Sequence, residues 1–318
     1  MSYCDSMYDN YYNLLREIGE EELERVNITM EEIVKSHRGV SPRFNLLQEV
    51  ENIHSMIRKA FIQYFKGFPA LSYEVLEKGF IAQELHLLLL LPQLYIGGGS
   101  LFYRLRPKDS DVISSNKDLF HIPFQKRTKC KNYRYSVAGY PSFYMSTSIE
   151  TARIETDVTG EDAEYYACAI TQRRGRELHL IDLTLPNRSL NFIERYSLLV
   201  FYPLIIACGL KVKEPEHAFR PEYVIPQLLS QVIRLHQDDT GFDGIVYAST
   251  KTKETSFTNS RQKNVILWVR GADKEEGYST ELADKVLLTS PVFFNGKVPN
   301  TDVEAQLKKL EFETVQVN

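Results

Sequence analysis

The sequence has few cysteines, no long apolar run and no excess of basic residues. Only four of its 318 residues are cysteine, and no two of them form a CxxC pair: Cys4, Cys130, Cys168 and Cys208. This spacing argues against a zinc ribbon, a thioredoxin-type redox pair and a disulfide framework. The longest apolar stretch, residues 85–94, is interrupted by histidine, proline and glutamine. A helix that spans a membrane needs about 20 apolar residues, so no such helix is expected there.

The charge balance is slightly acidic. The chain has 38 Lys and Arg residues against 42 Asp and Glu residues, and its net charge is -4. Proteins that bind nucleic acid usually carry a strong basic excess, so a nucleic-acid partner is not expected. The opening residues, MSYCDSMYDNYYNLL, lack the basic start and apolar segment of a secretory signal. We therefore expect a reduced, cytoplasmic, globular protein without a membrane partner.

Several common catalytic motifs are also missing. The chain has no GxGxxG after a strand, no Walker loop, no HExxH and no GxSxG. Its seven histidines show no metal-ligand spacing, so we expect no metal site. Arg58 is not followed by a histidine at the spacing of HEPN-type ribonucleases, which argues against nuclease chemistry.

The chain is predicted to be helical up to residue 96 and mixed behind it. Apolar residues recur at helical spacing between Leu14 and Val26, and more regularly from Leu46 to Phe65. A further helix is predicted from Tyr73 to Leu91, and three glycines at 97–99 then form a flexible break. We predict a helical N-terminal region over residues 1–96, a mixed domain over 97–295 and a C-terminal tail over 296–318.

Behind the glycines, strands and helices mix without a repeated βαβ unit, which predicts an α+β fold. Residues 147–150 (TSIE) fit a capping box, with Thr147 in a capping role, and this predicts a helix from Ile149 to about Asp157. Two further helices are predicted at Ile193–Leu210 and Glu222–Leu235. Strands are predicted at Leu101–Leu105, Ser142–Met145, Tyr165–Ile170, Leu178–Leu183, Phe242–Tyr247, Val265–Val269 and Val286–Leu288.

Polar residues stand at informative places in these elements. Singly, each also fits a plain structural role, such as an exposed strand charge or a helix-surface carboxylate. Their order and spacing mark them as a set: Tyr103 and Arg104 in the first strand, Arg134 before and Tyr144 within the second, Glu155 in the helix, and Ser249 and Asn264 at the late strands.

The order of these residues resembles the RES domain family, which is named for an arginine, a glutamate and a serine. The segments FYRLRP, HIPF, YRYSVAGYPSFYMSTSIETARIE, FDGIVYAST and NVILW follow one another over roughly residues 100–270. The match gives each polar residue a family position: Arg104 and Arg134 the two arginines, Tyr144 the strand tyrosine, Glu155 the helix glutamate, Ser249 the serine and Asn264 the last asparagine. Two features depart from the family. Ala248 stands where proline is usual, and the insert KTKETSFTNSRQK makes Ser256 a competing serine.

The resemblance implies a toxin or defence effector that consumes NAD, with a fold similar to the ADP-ribosyltransferases: a mixed β-sheet core behind a helical region. NAD would be the substrate, with no cofactor and no metal, and ADP-ribose would pass to inorganic phosphate or water. An antitoxin protein would be the partner, and we also expect a homo-oligomer. Residues would divide into a catalytic set (Glu155, Arg104 and Ser249) and an NAD-binding set (Tyr103, Arg134, Tyr144 and Asn264). In these roles the arginines would bind the diphosphate and the tyrosines would stack on nicotinamide.

Alternatives remain open at the level of the sequence. The same fold could transfer ADP-ribose to a protein, or form a catalytically idle interaction module, for which the Ala248 departure argues. Residues 146–148 (STS) and 214–216 (EPE) resemble the STS and E-x-E motifs of arginine-specific ADP-ribosyltransferases. Tripeptides this short arise by chance in an acidic chain, and Thr147 already has a capping role in the predicted helix.

Overall fold

The computed structural model describes residues 46–81, 86–108, 113–184, 191–251, 262–271 and 274–317. The chain divides into two compact units, Met1–Pro92 with Arg188–Ala207, and Gln93–Asn187 with Cys208–Asn318. The first unit thus includes a segment that lies inside the predicted mixed domain. The predicted helix between Leu14 and Val26 lies outside the described residues.

The elements follow one another along the chain in a mixed order. The helices are α1 (Leu46–Phe65), α2 (Pro69–Ile81), α3 (His86–Leu89), α4 (Ile149–Glu155), α5 (Phe192–Gly209), α6 (Val224–Leu235), α7 (Gln237–Thr240), α8 (Thr280–Lys285) and α9 (Asn300–Leu307). The strands are β1 (Gln93–Ile96), β2 (Phe102–Pro107), β3 (Ser142–Ser146), β4 (Glu164–Gln172), β5 (Leu178–Leu183), β6 (Gly244–Ala248), β7 (Lys263–Trp268), β8 (Val286–Thr289), β9 (Val292–Asn295) and β10 (Phe312–Thr314). Short 3₁₀ segments lie at Asn116–Leu119, Phe124–Lys129 and Pro221–Tyr223.

The first unit is a helical core. α1 confirms the helix predicted from its apolar pattern, and its buried residues recur every three or four positions, as in Val50, Ile53 and Ile57. Ser72 of α2 donates a hydrogen bond of 2.6 Å to the carbonyl oxygen of Ala60 in α1, which fastens the two helices together. The helix predicted from Tyr73 to Leu91 is α2 followed by the shorter α3.

The second unit is built on one mixed sheet. The described strands have the order β1-β5-β6-β7-β3-β2-β4-β8-β10, and β9 pairs with β4. β5 and β6 run parallel, whereas the other described pairs are antiparallel. The predicted α+β fold is therefore confirmed, while its likeness to the ADP-ribosyltransferases stays a prediction.

Side-chain alternation gives the central strands two different faces. β3 and β7 pair with Ser146 opposite Asn264, and β6 places Tyr247 opposite Asn264 from the other side, so these polar side chains share one face. The other face carries a buried apolar core that includes Phe102, Phe143, Met145, Val246, Val265 and Leu267. The polar face is the one that holds the candidate site.

A second apolar cluster anchors helix α4. Ile149 and Ala152 of α4 are buried together with Tyr103 of β2 and with Val303 and Leu307 of α9. Burial of each larger aliphatic side chain in this cluster, Ile149, Val303 and Leu307, contributes about 1.5–3 kcal/mol to stability. This packing fixes the position of α4 against the sheet, and with it the position of Glu155, the last residue of the helix.

Two parts of the fold differ from the sequence-based expectation. The end of the predicted helical region is strand β1, which pairs with β5, because Pro92 ends the preceding helix. The predicted C-terminal tail contains α9 and β10, and β10 pairs with β8. These strands have only three or four residues, which is too short to show a clear alternation in the sequence.

The cap of α4 also differs from the prediction. Ser148 is the N-cap, and its hydroxyl accepts a hydrogen bond from the backbone N–H of Thr151. The hydroxyl of Thr147 instead donates to the carbonyl oxygen of Lys263 and accepts from its N–H, so Ser148 and not Thr147 is the N-cap of α4. Across the part of the chain that the structure describes, no helix has the length and apolar character needed to cross a membrane.

Candidate active site

Glu155 is the centre of the polar face. Its Oε1 atom accepts hydrogen bonds from Ser249 Oγ at 2.6 Å and from Asn264 Nδ2 at 2.7 Å. Ser146 Oγ donates to the amide oxygen of Asn264 at 2.6 Å, which fixes the orientation of that amide. Within the described residues, Oε2 accepts no hydrogen bond. One carboxylate oxygen is therefore anchored and the other is left for a ligand.

The end of α4 is fastened by a lysine. Lys251 Nζ donates to the carbonyl oxygen of Glu155 at 2.9 Å and forms an ion pair with Asp157, also at 2.9 Å. Asp157 has a left-handed backbone with φ of 59°, a conformation that ends a helix and is uncommon outside glycine. The lysine thus ties the last turn of α4 to the segment that follows β6.

Arg134 supplies a buried cation on the same side of the molecule. It is 6% exposed, and it donates to the carbonyl oxygen of Cys208 at 3.0 Å and to Thr250 Oγ1 at 2.8 Å. Its guanidinium carbon lies 5.1 Å from the centroid of the Tyr223 ring. No carboxylate of the described chain forms an ion pair with it. The hydrogen bonds of this guanidinium within the described residues therefore go to neutral groups.

Tyrosines surround these charged groups. The rings of Tyr133 and Tyr144 are 5.9 Å apart at their centroids, and the Tyr144 hydroxyl lies 3.0 Å from Ser136 Oγ. Burial raises the pKa of Tyr144 and the pKa of Tyr247. The negative charge of Glu155 raises the pKa of Tyr247 further, and Arg134 opposes this, so Tyr247 lies near both charged groups. Both phenols are neutral at physiological pH.

Arg104 lies on the other face of the sheet. It pairs with Cys168, which belongs to the apolar core, and its guanidinium carbon lies 5.0 Å from the ring centroid of Phe143. Its Nη1 donates to the carbonyl oxygen of Tyr144, next to the single position where β2 and β3 pair. Burial lowers the pKa of Arg104 to about 9, and the neighbouring Arg106 contributes. Arg104 therefore supports the backbone of β3 and is not brought together with Glu155.

Tyr103 is a core residue. It is 2% exposed and packs in the cluster beneath α4. Burial raises the pKa of its hydroxyl, and the nearby carboxylate of Glu304 raises it further. A ring buried to this extent does not offer a face to a substrate, so the structure leaves Tyr103 outside the site.

The structure thus joins five of the seven predicted residues, and it adds others. Glu155, Ser249 and Asn264 are in direct contact, and Arg134 and Tyr144 lie on the same side. Tyr247 is an addition that alternation could have revealed, since it stands two positions before Ser249 in an extended segment. Tyr223 and Thr250 had no local signal, because their contacts with Arg134 are tertiary.

The competing candidates are less well placed. Ser256 lies outside the described residues. Glu214, from the E-x-E pattern, is in an exposed loop, and its carboxylate lies 2.6 Å from Nδ1 of His217. In the described ranges, no group of three or more His, Cys, Asp and Glu side chains could hold a metal ion. Cys130, Cys168 and Cys208 are buried free thiols.

The family model described as the RES domain matches residues 102–283, which is more than half of the chain. The chain belongs to the RES domain family. The match contains every site residue described above, from Arg134 to Asn264. The resemblance in the sequence is therefore confirmed, and the helices α1–α3 of this RES-domain protein precede the matched segment.

Two comparisons with individual proteins accompany the family match. The Bacillus subtilis (strain 168) protein named "Putative toxin YopC" is 26% identical over 265 residues, 77% of this chain and 59% of that protein. The chain therefore spans less than two thirds of this relative. A chain from the crystal structure of the M. tuberculosis MbcT-MbcA toxin-antitoxin complex aligns with 68% of this chain and 92% of its own length, at 10% identity and a TM-score of 0.34.

Proposed function

We propose that this RES-domain protein consumes NAD by breaking the bond between nicotinamide and ribose, and that it acts as a toxin or defence effector. The observation that carries the proposal is the hydrogen bonding of the two Glu155 carboxylate oxygens. Its Oε1 is held by Ser249 and Asn264, while Oε2 has no partner among the described residues. A carboxylate fixed in this way is oriented before the substrate arrives, which is the arrangement that electrostatic catalysis requires.

The chemistry suits a single fixed carboxylate. As the bond breaks, nicotinamide leaves with the electron pair and positive charge develops on the ribose. Glu155 would bind a ribose hydroxyl and stabilise that charge, an effect worth several kcal/mol. An oxygen of phosphate or water then forms the new bond to the ribose carbon, and with water one proton is released. ADP-ribose 1-phosphate or ADP-ribose is the second product.

The surrounding residues suit the rest of the dinucleotide. Arg134 is a buried cation without a carboxylate partner, and a guanidinium binds phosphate oxygens in pairs. Tyr247 has its aromatic ring near Glu155, and Tyr144 lies near Tyr247. Such rings stack on flat heterocycles such as nicotinamide. These contacts would place the glycosidic bond next to the carboxylate.

The structure offers little support for a catalytically idle module. Ala248, in place of the usual proline, pairs with Lys263 inside the sheet. Ser249 still reaches Glu155 at 2.6 Å, so the departure does not remove the serine from the site. Transfer to a protein remains an alternative, because it needs the same cleavage and differs only in the acceptor.

The first experiment is an incubation of the purified protein with NAD, with and without inorganic phosphate, resolved by chromatography. Glu155→Gln should lower the rate of nicotinamide release about 10²- to 10³-fold, since it removes the charge that stabilises the transition state. Glu150→Gln is the matched control, because Glu150 is an exposed carboxylate in the same helix. Its rate should equal that of the unmodified protein.

The products separate the acceptors. A sugar phosphate that forms only with phosphate identifies a phosphorylase, whereas free ADP-ribose identifies a hydrolase. Label from NAD that stays on protein would indicate a protein ADP-ribosyltransferase. NAD that stays intact at high protein concentration would contradict the proposal.

We further propose a partner protein of the antitoxin kind and a homo-oligomeric assembly, both from the family resemblance. Expression of this chain alone should arrest growth in a manner that needs Glu155. Co-expression of the product of a neighbouring gene should restore growth and co-purify with the chain. Light scattering of the purified protein gives the number of subunits, and a monomer would contradict the assembly.

A further inference from the structure

A second arginine lies beside the same tyrosine as Arg134. The guanidinium carbon of Arg220 is 5.4 Å from the ring centroid of Tyr223, and that of Arg134 is 5.1 Å from the same centroid. Arg220 Nη1 also donates to the Tyr223 hydroxyl at 3.3 Å. Two cationic side chains therefore border one tyrosine ring.

Both cations lack a negative partner in the described chain. Arg220 donates its other hydrogen bond to the carbonyl oxygen of Pro215 at 2.6 Å. Glu222, the nearest carboxylate in sequence, accepts instead from the backbone N–H of Lys213. Arg134 is nearly fully buried, and a buried charge is costly unless an opposite charge accompanies it. Two guanidiniums at one ring, neither in an ion pair with a carboxylate of the described residues, are able to bind an anion.

The two arginines expected to bind the diphosphate were Arg104 and Arg134. Arg104 is committed to the carbonyl oxygen of Tyr144 and lies over Phe143, on the apolar face. The arginine that shares the surroundings of Arg134 is Arg220. It lies outside every sequence segment that carries the family resemblance.

We propose that Arg134 and Arg220, which both border the Tyr223 ring, clamp the diphosphate of a dinucleotide, and that Arg104 only positions β3. This inference rests on the proposed NAD reaction for the identity of the dinucleotide. Each guanidinium presents a fork of donors that matches the oxygens of one phosphate group, so a diphosphate engages both arginines. Arg220 is then a substrate-binding residue.

The clamp is tested by calorimetric titration of the full chain with ADP and with adenosine. Arg220→Gln should weaken ADP binding about 10- to 100-fold, because it removes charge-assisted hydrogen bonds to phosphate. The affinity for adenosine, which has no phosphate, should stay unchanged. Arg174→Gln is the control: it removes one charge from an exposed turn between β4 and β5 and should bind ADP like the unmodified chain.

Turnover gives an independent measure. If NAD is consumed, Arg220→Gln should raise KM for NAD about tenfold or more and leave kcat nearly unchanged, as expected for binding in both ground and transition states. If circular dichroism shows that Arg220→Gln is unfolded, Arg220→Lys replaces it as the test variant. Lysine keeps the positive charge but lacks the paired N–H donors of the guanidinium. Arg220→Lys should bind ADP about 3- to 10-fold more weakly.

Several results would overturn the clamp. Arg220→Gln could bind ADP as tightly as the unmodified chain, or lose ADP and adenosine binding equally. Arg220→Lys could keep the ADP affinity of the unmodified chain, or the unmodified chain could fail to bind ADP. The proposed function is judged separately by NAD loss. Arg220-dependent ADP binding in a chain that leaves NAD intact supports the clamp alone, and NAD consumption with an unchanged KM supports the function alone.

Discussion

His121 is a buried imidazole whose two nitrogens are both used. Nε2 lies 2.8 Å from the backbone nitrogen of Ser279, which can only donate, so Nε2 must be the unprotonated acceptor. Nδ1 therefore carries the proton and donates to the carbonyl oxygen of Ile122 at 2.8 Å. Burial lowers the pKa of His121 to about 4, and the charge of Arg104 adds to the effect. The folded structure therefore favours the neutral imidazole of His121.

This imidazole predicts a loss of stability in acid. The unfolded chain binds a proton near the ordinary histidine pKa of about 6.5, and the folded chain only near 4, so protonation favours unfolding between these values. The contribution of neutral His121 to the free energy of unfolding should be fully present above about pH 6.5. The free energy of unfolding should fall by about 3 kcal/mol as the pH drops to about 4. Urea unfolding at a series of pH values measures this. His121→Gln should flatten the curve in this window, and an unchanged slope would reject the assignment.

At the scale of elements, the end of α4 is tied to the segment behind β6. The tie consists of Lys251, its ion pair with Asp157 and its bond to the carbonyl oxygen of Glu155. Lys251 is exposed, so its ion pair contributes at most about 1 kcal/mol to stability. Its effect on the placement of Glu155 is expected to be larger than its effect on stability.

Lys251→Met should therefore lower the NAD turnover number several-fold, with about tenfold as an upper expectation, while the melting temperature changes little. Asp157→Asn should have a similar effect, and the double variant should be no worse than either single one. Lys108→Met is the control, because Lys108 forms an ion pair of the same length, 2.9 Å, with Glu164. Additive losses of turnover in the double variant would show that the two residues act separately.

The pairing of β6 with β7 depends on a residue without a side chain. A methyl group at Gly244 would lie 1.9 Å from the carbonyl oxygen of Ile266, which is backbone and cannot move aside. Gly244→Ala should lower the free energy of unfolding by about 3 kcal/mol, because the two central strands must separate to admit it. Gly160→Ala, where nothing lies within 4 Å, should change it by less than about 0.5 kcal/mol. Equal urea midpoints for the two variants would refute this account.

Across the whole molecule, sequence patterns predicted the long elements well and the short ones poorly. α1 and β5 have the predicted bounds, because their apolar periods extend over the whole element. β1, β9 and β10 have three or four residues each and were missed. In the site, alternation shows that Tyr103 and Arg104 point to opposite faces, but it cannot tell which face binds substrate. Arg220 and Tyr223 meet Arg134 only through the folded chain, so no local pattern signals them.

The tripeptide behind β6 has a consequence for how this molecule can lose activity. Ser249 contacts the Glu155 carboxylate, Thr250 contacts Arg134, and Lys251 contacts the end of α4. Three consecutive residues therefore contact both charged residues of the site, Glu155 and Arg134. A cut or an insertion within this tripeptide would separate the contact with Glu155 from the contact with Arg134 in a single event, and the proposed NAD reaction should then be lost completely rather than by degrees.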